Sequence, residues 1–227
     1  MINMKAQSDI ISSVIIIIIA IALVSTAYMW GMPLIQKRQD TAISERVAKF
    51  FDPTNYNSII KKIEYIAKNE YGEDTFNLDV DGVWTLYSCP SADGISECSC
   101  NALTPGCSTE NNSVQFTFFS RVTNIAYDQG WVSLSAANTG GIGTVGIDNT
   151  FVVWGKAERS GDGFQITYKI WFRELDESPT KGYKIDLVSP SGKSVSSGKA
   201  IRISNEGTRY ISAGKELIIT KIKLSFI

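Results

Sequence analysis

The chain has 227 residues, and its 22 basic and 23 acidic side chains give a net charge of −1. This balance excludes a nucleic-acid-coating protein, since such proteins carry a clear basic excess. Hydrophobic residues make up 44% of the chain and charged residues 20%, which excludes a chain that is disordered throughout. Because the chain contains no histidine, the commonest general base and metal ligand is missing. We therefore expect no enzymatic activity, no cofactor and no metal site.

The strongest feature is an uncharged apolar segment, residues 10–32, close to the N-terminus. As a helix this segment would span roughly 34 Å, enough to cross a bilayer core of about 30 Å. An ordinary cleaved secretory signal has a shorter apolar region, so a retained membrane helix is the better interpretation. The residues expected to form the membrane or filament-core part of this helix are Ile15, Ile16, Ile17, Ile18, Ile19, Leu23 and Pro33.

A short polar segment precedes the apolar run and reads Lys5-Ala6-Gln7-Ser8-Asp9. A basic residue, a small residue and a polar stretch before an apolar helix resemble the class III signal peptide of archaeal type IV pilins and archaellins. The resemblance covers about residues 4–50. It implies that a prepilin peptidase recognises Lys5, Ala6, Gln7 and Asp9 and cuts between Ala6 and Gln7. The acid most familiar in pilins is the fifth mature residue, whereas Asp9 would be the third.

Apolar residues recur with partial helical periodicity beyond Pro33, up to Phe51. This pattern predicts that the helix continues as a stem, and a membrane anchor followed by an exposed linker is the alternative. Asp52-Pro53 should end the helix, because the residue before proline is disfavoured in the α region. The predicted organisation is a leader at 1–6, a transmembrane and stem helix at 7–51, a second short helix with its connection at 52–74, and a β-rich extracellular head at 75–227.

The head shows alternating apolar runs separated by turn residues. Asp81-Gly82 and the segment 160–163 each lie between two such runs, and both predict β-hairpins. We expect an α+β protein, in which the long N-terminal transmembrane and stem helix is followed by an antiparallel β-sandwich-like head.

Four cysteines, Cys89, Cys98, Cys100 and Cys107, lie close together in a segment rich in turn residues. Their spacing does not match a paired zinc motif, and the chain has no histidine to complete one. Two disulfides are therefore predicted, with three pairings open, and free thiols in a reducing compartment are the alternative. Asn111 begins an N-x-S sequon and is a candidate glycosylation site.

Two further patterns resemble functional motifs but lack the context that the chemistry needs. Residues 141–146 satisfy G-x-G-x-x-G, yet no helix is predicted after them, so dinucleotide binding is not expected. Glu174, Asp176 and Glu177 form an acidic cluster that we interpret as a solvated loop rather than a catalytic pair.

The pilin resemblance implies a structural subunit of an archaeal extracellular type IV filament. Its helices would form the filament core and its β heads would face outward, with adhesion as their expected role. The expected partners are copies of the same chain, the membrane before assembly, and the prepilin peptidase with the pilus assembly machinery; no nucleic acid is expected. The alternative is a monomeric, membrane-anchored extracellular β-sandwich that binds an envelope component. More basic residues follow the apolar segment than precede it, which favours a cytoplasmic head, but the predicted disulfides and the insensitivity of large domains to charge favour the outside.

Overall fold

The computed structural model describes residues 4–88, 111–135, 141–189, 193–212 and 214–227, with side chains of the first helix described from Ser12 onward. The chain divides into two compact units, Met1–Ala42 and Ile43–Ile227. The four cysteines lie outside the described residues, so the predicted disulfides remain a prediction.

Two helices precede the strands. Helix α1 (Met4–Phe51) includes the entire apolar segment and continues through Pro33. Helix α2 (Ile59–Lys68) begins at Ser58, whose Oγ accepts a hydrogen bond from the backbone N–H of Lys61 at 3.3 Å. This bond satisfies one of the free N–H groups at the helix start. The buried face of α2 consists of Ile59, Ile60, Ile63 and Ile66, whose spacing places them on one side of the helix.

Twelve strands follow in the described part of the chain. They are β1 (Glu73–Asn77), β2 (Val83–Tyr87), β3 (Ser113–Ser120), β4 (Val132–Ser133), β5 (Gly143–Thr144), β6 (Phe151–Ser160), β7 (Gly163–Phe172), β8 (Leu175–Ser178), β9 (Lys181–Val188), β10 (Lys193–Ser196), β11 (Ala200–Ser212) and β12 (Glu216–Phe226). They form two six-stranded sheets: sheet A has the order β1-β11-β12-β9-β8-β5, and sheet B has the order β10-β2-β3-β7-β6-β4. The α+β fold class is thus as expected.

Sheet B is antiparallel at every pairing between its named strands. Sheet A is mixed, because β12 pairs with β9 in parallel and β8 pairs with β5 in parallel. The prediction of antiparallel strand pairing in the head is therefore confirmed for sheet B and wrong for sheet A. Between β9 and β12 the chain passes through β10 in the other sheet and through β11, so no tight turn forces β12 to run opposite to β9.

One of the two predicted hairpins forms. Strands β6 and β7 are joined at residues 160–163 and pair along their full lengths, with Ser160 opposite Gly163. The hairpin predicted at Asp81-Gly82 is wrong, because β1 belongs to sheet A and β2 to sheet B. A Cβ atom at Gly82 would lie 2.3 Å from Phe116 Cζ. The glycine therefore permits close passage of the backbone over a core ring as the chain changes sheet, which the local sequence does not distinguish from a turn.

A single large cluster of buried apolar side chains draws on both sheets, on α2 and on the last turns of α1. From α1 it includes Val47 and Phe51, which are 0% and 2% exposed. The ring of Phe51 lies 5.0 Å from Tyr168 and 6.0 Å from Trp84, measured between centroids. The last turns of α1 thus belong to the core of the second unit, although their sequence pattern was interpreted as part of the stem.

Asn112 connects the two sheets through its buried side chain. Its Nδ2 donates to the carbonyl of Phe172 at 2.9 Å and to that of Ile185 at 2.7 Å, and its Oδ1 accepts from the N–H of Leu187 at 2.7 Å. Its φ of 58° lies in the left-handed region, which asparagine tolerates better than most residues. Phe172 ends β7 in sheet B, whereas Ile185 and Leu187 lie on β9 in sheet A.

Candidate functional site: the apolar helix

The apolar part of α1 is exposed over its whole circumference. Its mean hydropathy reaches 2.4 in the most apolar window of 18 residues, and none of that window is buried within the structure. The five consecutive isoleucines, Ile15–Ile19, are between 50% and 66% exposed. A helix that is apolar on every side requires an apolar environment. By length and composition α1 is therefore long and apolar enough to span a membrane or to act as a signal sequence.

Two threonine hydroxyl groups of α1 form hydrogen bonds within the helix itself. Thr26 Oγ1 donates to the carbonyl of Ala22 at 2.8 Å, and Thr41 Oγ1 donates to the carbonyl of Lys37 at the same distance. Such back-bonding satisfies a hydroxyl without water or a second chain. Thr26 is therefore compatible with an apolar environment, where an unsatisfied polar group would be costly.

Pro33 lies inside α1 and is exposed. Its ring nitrogen carries no hydrogen, so the carbonyl of Met29 loses its usual helical donor. Gly31 leaves open space where a side chain would begin, since apart from its two chain neighbours and the backbone of the helix no atom lies within 4 Å of its Cβ position. Gly31 and Pro33 thus mark the point in α1 where the backbone is least constrained by its own hydrogen bonds and where a second helix could approach most closely.

The four residues expected to form the peptidase recognition sequence, Lys5, Ala6, Gln7 and Asp9, lie in the first turns of α1. The peptide bond between Ala6 and Gln7 is helical in this structure. Cleavage there would require the first turn to unwind, as a helix end does most easily. The side chains of these residues are not described, so their role in recognition remains a prediction.

The candidate glycosylation site Asn111 lies in the turn that leads into β3 and is half-buried. The other two residues of the sequon are more deeply placed: Asn112 is 1% exposed and Ser113 is 0% exposed. A transferase that must reach Ser113 could therefore act on this sequon only before the chain folds. Sequence reasoning identified the sequon but missed the structural role of Asn112.

The acidic cluster after β7 is neutralised by nearby partners. Lys215 Nζ donates to Glu174 at 2.5 Å and also to Asp176. The hydroxyl of Tyr183 donates to Glu177 at 2.7 Å, and together with Lys181 it lowers the pKa of that carboxyl. These carboxylates take part in ion pairs and hydrogen bonds. The predicted solvated loop is therefore wrong, because Asp176 and Glu177 lie on β8 and Glu174 is buried.

Other carboxylates of the second unit are paired in the same way. Lys199 Nζ lies 3.0 Å from Asp81 and 3.3 Å from Asp79, and the hydrogen bonds that it donates to both carboxylates raise the pKa of the lysine. Within the described ranges of the chain, no group of three or more cysteine, aspartate or glutamate side chains could hold a metal ion. Residues 141–146 form β5 and a turn, with no helix after them, so the dinucleotide fingerprint lacks its structural context.

An open depression of about 440 Å³ lies beside α2. Tyr56 and Tyr65 contribute to its wall, and Lys61 and Lys62 in the same wall pair with Glu64 and Asp74. It is open to solvent and therefore lacks the enclosure of a small-molecule site. Comparisons with protein-family models, curated proteins and solved structures found no match. The feature with the clearest functional meaning is therefore the exposed apolar helix.

Proposed function

We propose that the chain is a structural subunit of an archaeal extracellular type IV filament, similar to a pilin. The observation that carries this proposal is the exposed apolar surface of α1, preceded by the Lys5-Ala6-Gln7 pattern. In this proposal the peptidase removes residues 1–6, α1 anchors the subunit in the membrane, and α1 then packs against other copies in the filament core. The second unit forms the outward head.

Packing between apolar helices supports assembly only where the helices approach closely. Lipid tails are as apolar as isoleucine, so leaving the bilayer brings no hydrophobic gain by itself, and association depends on van der Waals contact. Small residues at the contact surface shorten the distance between helix axes. Small residues in the apolar part of α1 include Ser12, Ser13, Ala20, Ala22 and Gly31.

The architecture of the second unit supports its role as a head. Its two sheets contribute to one buried core, which is compatible with a sandwich-like arrangement, and its core does not include the apolar segment of α1. A self-contained core allows a head to keep its structure whether α1 lies in lipid or in a filament. The predicted disulfides would fit a head on the outside of the cell.

Mass mapping of the N-terminus on protein sheared from the cell surface tests this proposal. We expect filament subunits that begin at Gln7. Replacing Ala6 with tryptophan should leave uncut precursor in the membrane and no filaments, whereas Ala6→Gly should be processed normally. Assembled subunits that retain Met1 would contradict the pilin proposal, and uncut chains without filaments would favour the monomeric anchored module.

A charge within the apolar segment tests whether α1 forms the core. Ile17→Lys should cost about 2.5–3.5 kcal/mol at the centre of a membrane helix on insertion scales. In a filament the same cation would be buried against neighbouring subunits in every copy. We expect electron microscopy to show no filaments for Ile17→Lys and normal filaments for the matched control Ile17→Leu. Normal filaments from both variants would show that assembly does not run through this part of α1.

A further inference from the structure

Strand β11 extends well beyond the strand that covers it. Its neighbour β1 pairs with it only from Ala200 to Ser204, and one further bond joins the N–H of Asn205 to the carbonyl of Gly72 at 2.9 Å. On its other side β11 stays paired with β12 as far as Ser212. Within the described part of the chain, the segment from Gly207 to Ser212, here called the β11 overhang, therefore has a strand on one side only.

The hydrogen bonds around the overhang show which backbone groups point outward. The N–H of Asn205 points towards Gly72, away from β12, and the N–H of Glu216 points to the carbonyl of Thr180 at 2.7 Å, away from β11. Backbone direction alternates along an antiparallel pair, and the register shifts once, between Asn205 and Gly207. Alternation counted from Asn205 along β11 and alternation counted from Glu216 along β12 give the same result. The N–H and C=O groups of Thr208, Tyr210 and Ser212 point out of the sheet edge.

The outer edge of β1 shows how this chain protects an exposed strand. At Thr75 the backbone N–H donates to Asp74 Oδ1 at 2.7 Å, and Lys62 Nζ donates to the Thr75 carbonyl at 3.2 Å. Side chains thus occupy the groups that a foreign strand would need. In the overhang, Asn205 Oδ1 accepts from the N–H of Gly207 at 2.7 Å, but among the described contacts no side chain occupies the outward groups of Thr208, Tyr210 and Ser212. Tyr210 is 69% exposed.

The remaining described edges are short. Strands β4 and β5 have two residues each, and β10 has four. Short edge strands are a common protection against pairing with another chain. The β11 overhang is therefore the described edge best suited to accept an additional strand.

We propose that the β11 overhang pairs with the same segment of a second copy, antiparallel and around a two-fold axis, to join two A sheets into one. In the register that places Tyr210 opposite Tyr210 of the second copy, Thr208 lies opposite Ser212 and all outward groups are used. Three residue pairs would exchange about six main-chain hydrogen bonds. The two exposed tyrosine side chains would then lie against each other.

Charge disfavours one of the two neighbouring registers. A shift that moves Thr208 opposite Tyr210 would place Arg209 directly opposite Arg209 of the second copy, and like charges in facing positions destabilise a strand pair. In the proposed register Arg209 faces Ile211 instead. In this register the overhang can pair with its own copy without placing like charges opposite each other, and we therefore assign a second copy as the partner.

A two-fold contact is distinct from the packing of helices in a polar filament. An isologous interface closes on itself and cannot propagate a filament. The contact would instead join heads of two filaments that lie side by side, or two anchored copies. This inference does not depend on the proposed filament function.

Site-specific cross-linking of the full chain in detergent micelles tests the pairing. In the proposed register the Cα atoms of the two Tyr210 residues would lie about 5.5 Å apart, within disulfide range. We expect Tyr210→Cys to form a reducible dimer under mild oxidation. The matched control Arg209→Cys should not, because its Cα atoms would be roughly 8 Å apart. The unaltered chain provides the baseline for its own four cysteines.

A proline variant tests the hydrogen bonds themselves. Tyr210→Pro removes an N–H that points out of the sheet, which an edge strand tolerates, so a thermal melt should remain close to that of the unaltered chain. We expect the dimer in micelles to weaken about ten- to a hundredfold, since two bonds are lost at the axis. A folded Tyr210→Pro variant that dimerises normally, equal cross-linking at positions 209 and 210, or no cross-linking at 210 would each overturn the proposal.

Discussion

Removing the side chain of Asn112 should destabilise the second unit more than most single substitutions. Its three hydrogen bonds to main-chain groups of both sheets have lengths of 2.7–2.9 Å. Each contributes about 1 kcal/mol net, and a buried N–H left without an acceptor adds a desolvation penalty of at least about 1 kcal/mol. Asn112→Ala should therefore cost about 4 kcal/mol, and the left-handed φ of 58° adds about 1 kcal/mol for alanine.

Two companion variants separate the hydrogen bonds from the backbone conformation. Asn112→Gly loses the same bonds but adopts a positive φ without strain, so it should retain a loss of about 3–4 kcal/mol. Asn112→Asp keeps an acceptor for the N–H of Leu187 but turns a carboxylate towards the carbonyls of Phe172 and Ile185. Its stability should be lowest at neutral pH and should recover as the pH falls and the carboxyl gains a proton.

Urea unfolding of the full chain in detergent, followed by tryptophan fluorescence, measures these differences. A loss of about 4 kcal/mol corresponds to a fall in Tm of roughly 8–16 °C for a unit of this size. The glycine variant shows whether the hydrogen bonds of the Asn112 side chain stabilise the second unit. If Asn112→Gly lies within about 1 kcal/mol of the unaltered chain, the cross-sheet bonds contribute little and the reasoning is refuted.

Three further predictions concern the second unit. Phe51→Ala should cost about 3–5 kcal/mol in urea unfolding, because it opens a cavity beside stacked aromatic rings; a loss below 1 kcal/mol would contradict the core position of α1. Burial raises the pKa of Tyr168 to about 12. Stability that is present below pH 10 should therefore fall as the pH rises from 10 to 12, by at most about 3 kcal/mol. Tyr168→Phe should remove this alkaline loss of stability, whereas the control Tyr65→Phe, at an exposed site, should not. The Lys62 hydrogen bond lowers the pKa of Asp74, so its contribution is present above about pH 4 and is lost as the pH falls through the folded-state pKa. Because Asp74 is partly exposed, Asp74→Asn should flatten acid unfolding below pH 4 by less than about 1 kcal/mol.

Features that depend on local pattern could be predicted from the sequence. The apolar segment, the buried face of α2 and the β6–β7 hairpin follow from composition, helical spacing and turn residues within short windows. The interpretation of residues 174–177 as a solvated loop is wrong, because β8 runs through them and their lysine partner, Lys215, lies far away in the sequence.

Features that depend on distant pairing could not be predicted. Asp81-Gly82 has the composition of a hairpin turn, yet β1 pairs with β11 and β2 with β10 and β3, because the choice of partner is decided by the core as a whole. The parallel pairing of β9 with β12 leaves no local trace, since an alternating strand reads the same in either direction. Asn112 lies within a sequon, and the residues next to it in the sequence do not indicate that its side chain forms hydrogen bonds with β9.

The apolar residues in the later part of α1 illustrate why periodicity alone does not identify an assembly surface. Leu34 and Ile35 are 65% and 53% exposed, whereas Val47 and Phe51 are almost fully buried in the core of the second unit. One continuous apolar pattern along α1 therefore includes both exposed residues and residues buried in the core of the second unit. Packing within the subunit is sufficient to explain the residues near Phe51, so they give no support to a filament. The case for assembly rests on the exposed residues before them, and for that reason Ile17 rather than Val47 is the position where a substitution distinguishes a failure to assemble from a failure to fold.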